Sequence, residues 1–149
     1  MSDLLDEFGV PPELLRLEVT ESAVMGDPAR ATDVLQRLHD LGVRLSIDDF
    51  GTGYTSMAYL RRLPVDELKV DRSFVTSMTS NEHDAVLVRT AIDLGHNLGL
   101  TIVAEGVENA GHVAALRALD CDIAQGYHYA RPMPAADLTA LLERAVQPV

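Results

Sequence analysis

Short segments of the chain alternate apolar and polar residues, and the segments between them repeat apolar residues at helical spacing. Alternation puts successive side chains on opposite faces of a strand, whereas a repeat of about three to four residues lines one face of a helix. The alternation therefore predicts five strands, at residues 15–19, 43–47, 67–71, 100–105 and 123–126, the last of which alternates most weakly.

Capping residues and glycines mark the helices between these strands. Asp27 has the side chain of an N-cap, Pro28 suits the first helical position, and Gly42 ends the apolar stripe that follows. Further helices are predicted to begin near residue 55, at Ser80 or Asn81, at Asn109 and at Pro134. Because strand and helix alternate along the chain, we expect an α/β fold of parallel strands joined by crossover helices.

A polar side chain lies near the carboxyl end of each predicted strand. Asp48 follows Ile47 and belongs to the strand face opposite the apolar one. In parallel α/β folds, ligands bind at the edge of the sheet where the strands end. The residues that mark this edge are Glu18, Asp48, Lys69, Glu105 and Gln125.

Composition restricts the chemistry of such a site. The 149 residues are 47% hydrophobic and contain no apolar run long enough to cross a bilayer. This composition predicts one soluble domain with no membrane association from this segment, and the cytoplasm is the default compartment. The single cysteine, Cys121, excludes an intrachain disulfide and a zinc–cysteine cluster, and the five histidines lack zinc spacing. The net charge of -11 has the wrong sign for binding DNA through its phosphates, although a small anionic ligand is compatible with divalent cations held among carboxylates.

Asp48 and Asp49 are adjacent acids at the end of a strand, a pair that by itself is more often a solvated turn than a metal site. Gly51 and Gly53 follow at once and favour the metal site, because glycines allow a loop to fold closely over a ligand. Both interpretations remain open from these residues alone.

Lys69 lies between two apolar residues of a predicted strand, so its ammonium needs either solvent or a matching negative charge. Asp48 and Glu105 would supply that charge. Carboxylate oxygens from the two aspartates and two glutamates favour Mg²⁺ or Mn²⁺ over zinc, and a two-metal site of this kind serves phosphodiester hydrolysis. In that chemistry Lys69 would steady the water or the developing charge, and Glu105 would bind metal or accept the proton.

Five motifs follow one another along the chain: EVTE from Glu18, DDFGTGY from Asp48, LKVD from Leu68, AEGVE from Ala104 and QGY from Gln125. Together they resemble the EAL domain of bacterial cyclic di-GMP phosphodiesterases, and they span nearly the whole chain. The resemblance implies a TIM-type barrel and Mg²⁺- or Mn²⁺-dependent hydrolysis of cyclic di-GMP to linear pGpG.

The resemblance also implies roles for individual residues. Glu18, Asp48 and Asp49 would be metal ligands. Lys69 would organise the catalytic water, and Glu105 would serve as base or metal ligand. In the family the Asp48–Asp49 loop contributes to dimer contacts, so a homodimer or pairing with another chain is expected. The residues expected to bind substrate or line the site are Asp71 and Gln125, and those expected to anchor the loop are Glu21, Gly51 and Gly53.

The chain departs from the family at its start. The family's Glu-Ala-Leu strand, a substrate-binding arginine and a metal-binding asparagine precede the part that begins here near Leu15, and none of them is present. A complete barrel has eight strands and about 250 residues. Residues 1–149 are therefore expected to form one truncated domain, a partial TIM-type barrel of about five strand–helix units that lacks the N-terminal strands.

Two hypotheses follow from this departure. One metal would be under-coordinated, and the open edges of the sheet would pair with another chain. The chain is then either a metal-dependent phosphodiesterase module that is incomplete alone, or a catalytically inactive module that binds cyclic di-GMP or another protein.

Overall fold

Five parallel strands form one sheet in the computed structural model, which describes residues 1–53 and 57–145. Neighbours in the chain are neighbours in the sheet, and each pair runs parallel. The predicted α/β fold with parallel strands and crossover helices is therefore confirmed. The strands are β1 (Arg16–Thr20), β2 (Arg44–Phe50), β3 (Glu67–Val70), β4 (Thr101–Ala104) and β5 (Ile123–Ala124).

Helices connect consecutive strands, as parallel pairing requires. Asp27 accepts the Arg30 N–H at 3.2 Å, so this residue caps its helix as predicted. At the helix start predicted at Ser80 or Asn81, the cap is Asn81, because its side chain accepts the His83 N–H. The helices are α1 (Ser2–Phe8), α2 (Glu21–Gly26), α3 (Pro28–Asp40), α4 (Met57–Leu60), α5 (Arg72–Ser77), α6 (Glu82–Asn97), α7 (Ala110–Ala118) and α8 (Ala135–Ala145).

The strict alternation of one strand with one helix was wrong. Helices α1, α2 and α5 have no counterpart in the sequence prediction, and two helices separate β1 from β2 and β3 from β4. Helices α2 and α5 are six residues long, which is less than two turns and too short to show a helical repeat. The helix predicted over 55–62 is observed at α4, and its first two positions lie outside the described residues.

Strand β2 extends further than the alternation predicted and carries both aspartates. Its pairing with β3 shifts between Ile47 and Phe50, so that Asp48 and Asp49 together face the one position of Lys69. Such a β-bulge re-aims side chains and is common beside active sites. By contrast, the strand predicted at 67–71 ends at Val70, and Asp71 caps α5.

The hydrophobic core lies between the sheet and its helices. It contains Leu45, Ile47 and Leu68 from the strands, together with Val88 and Ile92 from α6. The opposite face of the sheet is polar, as predicted for β2, but it is not a solvent face, because its residues Ser46, Glu67 and Lys69 are also buried. None of the described helices is both long and apolar enough to cross a membrane.

Candidate functional site

Lys69 is the centre of the polar face. It lies on β3, and only 5% of its surface is exposed. Its Nζ contacts Glu18 Oε2 on β1 at 2.8 Å, Asp48 Oδ1 on β2 at 3.1 Å and Glu105 Oε1 at 2.7 Å. Glu105 immediately follows β4. The ammonium therefore joins side chains from four consecutive strand ends, which is the matching negative charge that its burial demands.

The carboxylates determine the charge of Lys69. Burial opposes the ammonium form, but hydrogen bonds to Glu105, Glu18 and Asp48 outweigh burial and raise the pKa of Lys69 above its ordinary value. The amine therefore stays protonated at neutral pH. It can donate hydrogen bonds to an anionic ligand or to water, but it cannot act as a general base.

A cluster of three carboxylates lies beside this lysine. Asp48, Asp49 and Glu105 each offer one oxygen, and these oxygens all lie within 4.8 Å of one another. The backbone of Asp49 is left-handed, with φ of 55°. Burial, followed by the charges of Asp48 and Asp71, raises the pKa of Asp49. A divalent cation would remove this repulsion, and three carboxylate oxygens are hard ligands, so the cluster fits Mg²⁺ or Mn²⁺.

Glu18 has a different position from the other expected metal ligands. It belongs to the contacts of Lys69, but it is not part of the group formed by Asp48, Asp49 and Glu105. Its side chain is 47% exposed, whereas those of Asp48 and Glu105 are 23% and 19% exposed. Glu18 is therefore the most accessible carboxylate around the lysine.

Glu21 holds the loop that follows the two aspartates. It is the first residue of α2, only 3% of its surface is exposed, and its Oε2 accepts the N–H groups of Gly51 at 3.1 Å and Gly53 at 3.2 Å. A Cβ on Gly53 would lie 2.7 Å from Glu21 Oε1, so glycine is required for this approach. Gly51 has a positive φ of 102°. Tyr54, the last residue of the motif, lies outside the described residues.

The other two predicted site residues, Asp71 and Gln125, each lie beside a member of the acid cluster. Gln125 lines a cleft of about 180 Å³ that also contains Glu105. The side chain of Asp71 accepts the backbone N–H of Ser73 at 2.9 Å and caps α5. Four further residues of the motifs line this cleft without a predicted role: Gly106, Glu108, Gly126 and Tyr127.

Sequence reasoning also missed an ion pair below the lysine. Glu67 is 1% exposed, and its Oε2 lies 2.6 Å from a guanidinium nitrogen of Arg16. One feature of the sequence could have indicated this pair: Glu67 lies two positions before Lys69 and therefore on the same face of the strand.

Comparison with known proteins gives the family. The model of the EAL domain matches residues 1–132. The chain belongs to the EAL domain family. This EAL domain is 47% identical over 138 residues to the cyclic di-GMP phosphodiesterase NbdA of Pseudomonas aeruginosa, and the match covers 93% of this chain and 18% of NbdA.

Solved structures show the same fold. The PaMucR phosphodiesterase in complex with c-di-GMP has a TM-score of 0.89 and 44% identity, over 92% of this chain and 56% of that one. The manganese and cy-diGMP complex of Klebsiella pneumoniae BlrP1 has a TM-score of 0.81 and 33% identity, over 87% of this chain and 33% of that one. The described EAL domain thus spans less than a fifth of NbdA and about half of the PaMucR chain.

Proposed function

We propose that this EAL domain hydrolyses cyclic di-GMP to linear pGpG and that it uses Mg²⁺ or Mn²⁺. The observation that carries the proposal is the convergence of Glu18, Asp48 and Glu105 on the buried ammonium of Lys69. The phosphodiesterase NbdA is similar over 93% of the chain, and BlrP1, which is similar in structure, binds manganese and cy-diGMP.

Asp48, Asp49 and Glu105 are the residues that would hold the cation, with Glu18 as a further ligand at the open side of the cluster. A bound Mg²⁺ or Mn²⁺ supplies Lewis acidity that polarises a phosphodiester and acidifies water. Three adjacent acids would otherwise repel the phosphates of cyclic di-GMP, so the cation also makes the site accessible to an anionic substrate.

The remaining residues position substrate and water. Lys69 donates hydrogen bonds to the attacking water or to the phosphoryl oxygen that gains charge, because its ammonium is permanently protonated at neutral pH. Glu105 contacts the lysine and belongs to the acid cluster, so it either binds the cation or accepts the proton of the attacking water. Glu21, Gly51 and Gly53 maintain the loop geometry. Asp71 and Gln125 line the substrate path at the margin of the site.

Turnover of cyclic di-GMP by the purified protein in Mg²⁺ or Mn²⁺ tests this function. We expect pGpG formation that Asp48→Ala abolishes. Asp33→Ala is the matched control, because Asp33 is an exposed aspartate on α3, remote in sequence from the five motifs. Absence of product at every metal concentration would remove the enzymatic claim.

The inactive binding module makes a different prediction for the same protein. It requires cyclic di-GMP binding in a calorimetric titration together with no turnover. The side chains of Asp48, Asp49 and Glu105 lie close enough together to hold a cation, and this favours the phosphodiesterase over the inactive module. Calorimetry in Ca²⁺ and turnover in Mn²⁺, measured on one preparation, separate the two functions.

We also propose that the protein pairs with another chain, as a homodimer in the simplest case. Strands β1 and β5 are the outer strands of the described sheet, and unpaired strand edges are templates for association. Sedimentation velocity tests this, and a strictly monomeric species at high concentration would contradict it.

The cytoplasm is the proposed compartment, because Cys121 is a free thiol that a reducing environment preserves.

A further inference from the structure

The polar face of the sheet has two layers of side chains. Strands β1, β2 and β3 each contribute one residue to the upper layer, which contains Lys69. The residue two positions earlier on each strand belongs to the lower layer. Side chains two residues apart on a strand share a face, so the two layers lie one above the other. The upper layer consists of Glu18, Asp48 and Lys69, and the lower layer of Arg16, Ser46 and Glu67.

Each carboxylate oxygen of Glu67 has a close polar neighbour in the lower layer. Its Oε1 accepts the hydroxyl of Ser46 at 3.0 Å, and its Oε2 lies 2.6 Å from a guanidinium nitrogen of Arg16. The Glu67 side chain is 2% exposed, whereas that of Arg16 is 46% exposed. The arginine therefore reaches over the polar face from its edge and neutralises a carboxylate that has almost no access to water.

Without Arg16, Glu67 would be a buried carboxylate with no cationic partner, which is a costly state. Lys69 lies on the same face of β3, roughly 7 Å further along the strand. Its ammonium is at the end of a long, flexible side chain. Glu67 is therefore a competitor of Glu18, Asp48 and Glu105 for the same ammonium.

We propose that Arg16 is a positioning residue, which keeps Lys69 in the upper layer by occupying Glu67. The proposal rests on the proposed phosphodiesterase function only in that the ammonium of Lys69 must face the reacting phosphodiester. Arg16 itself contacts neither the acid cluster nor the cleft beside Glu105. It acts by removing the alternative partner of the lysine.

Kinetics of three variants test the proposal. Arg16→Met removes the charge but retains an unbranched apolar stem, so we expect kcat to fall about tenfold with KM nearly unchanged. Glu67→Gln alone removes the competing charge and should leave kcat within about threefold of wild type. The double variant should recover kcat to the level of Glu67→Gln, because no carboxylate then attracts the lysine.

Kinetics of folded protein distinguish positioning from simple loss of structure, because Glu67→Gln also removes the stability cost of an unpaired buried charge. If the pair only stabilised the fold, Arg16→Met would keep the kcat of wild type at a temperature at which circular dichroism shows it fully folded, and that result would overturn the proposal. Arg44→Met is the matched control. Arg44 is the register partner of Arg16 and forms its own ion pair with Asp66 at 2.7 Å, but that pair is outside the lower layer. Its loss should leave kcat unchanged.

A crystal structure of Arg16→Met tests the inference without activity. We expect Lys69 Nζ to move into hydrogen-bond contact with Glu67, and an unchanged lysine would overturn the proposal. If the wild-type protein shows no turnover, the proposed function fails while this structural result still decides the role of Arg16. Should Arg16→Met not fold, the structure of Arg16→Lys replaces it, and a Lys69 that is displaced while the new lysine still pairs with Glu67 would contradict the proposal.

Discussion

Replacing Gly53 with alanine should detach the Asp48–Asp49 loop from its anchor. The new Cβ would lie 2.7 Å from Glu21 Oε1 and 2.8 Å from Glu21 Cδ, closer than non-bonded atoms approach. Glu21 is buried, so its carboxylate can relieve the clash only by leaving the position in which it accepts two backbone N–H groups. The substitution therefore breaks both of these hydrogen bonds, which hold the described part of the loop.

The magnitude follows from those two hydrogen bonds. A hydrogen bond to a charged group contributes about 1.5–3 kcal/mol. Gly51 and Gly53 are exposed, so water replaces part of the loss, and the lower end of the range gives about 3 kcal/mol for the pair. Because 1.4 kcal/mol corresponds to a factor of ten, we expect the competent loop population, and with it kcat/KM for cyclic di-GMP, to fall about a hundredfold.

Two assays measure this loss. The first is pGpG formation in Mn²⁺, and the second is the affinity for Mn²⁺ alone, determined calorimetrically. Gly26→Ala is the control, because Gly26 ends the same helix that begins with Glu21 and an added Cβ there meets no atom within 4 Å. It should leave both quantities unchanged and preserve or slightly raise stability.

Turnover and Mn²⁺ affinity of Gly53→Ala within about threefold of wild type would contradict this prediction. The loop would then hold its geometry without the Glu21 contacts.

Three other substitutions test separate contacts. Lys69→Met leaves three carboxylates without their ammonium, so turnover should disappear and added Mn²⁺ should raise the melting temperature more than in wild type. Burial opposes ionisation of Asp122, but the Ile102 N–H and a histidine contact outweigh it and lower its pKa from 3.8, so the ionised form adds stability above that pH. The excess melting temperature of wild type over Asp122→Asn should therefore shrink from about pH 5 to pH 2. Gly126→Ala places a Cβ 2.2 Å from the Val107 carbonyl oxygen, and urea unfolding should show a loss of about 3 kcal/mol or more.

Local patterns were sufficient where an element is long or strongly capped. Helices α3 and α6 were predicted from apolar repeats and from the caps Asp27 and Asn81, and both caps form the expected bonds. Helices α2 and α5 were missed because six residues contain no second repeat of the pattern. Their N-caps, Thr20 and Asp71, act locally, but a single capping residue is too common to predict a helix by itself.

The candidate site was likewise predictable only in part from the sequence. The need of Lys69 for negative charge was predictable, since a cation between apolar strand residues has few alternatives, and the structure supplies Asp48 and Glu105 as expected with Glu18 in addition. The sequence could not predict the β-bulge that places Asp48 and Asp49 opposite Lys69. Such a bulge depends on how β2 pairs with β3, and that register is not visible in either strand alone.

The parallel α/β fold and the edge at which the polar side chains collect are predictable from the order of residues along the chain, as is the need of Lys69 for solvent or for a matching negative charge. These follow from periodicity and from the cost of an unpaired charge, which act over a few residues. The burial of Lys69, the pairing of Arg16 with Glu67 and the binding of the loop by Glu21 at Gly51 and Gly53 depend on how the strands and helices pack. Those contacts join segments that are distant in the chain, and no local pattern records which of many acids will meet a given donor once the strands have packed.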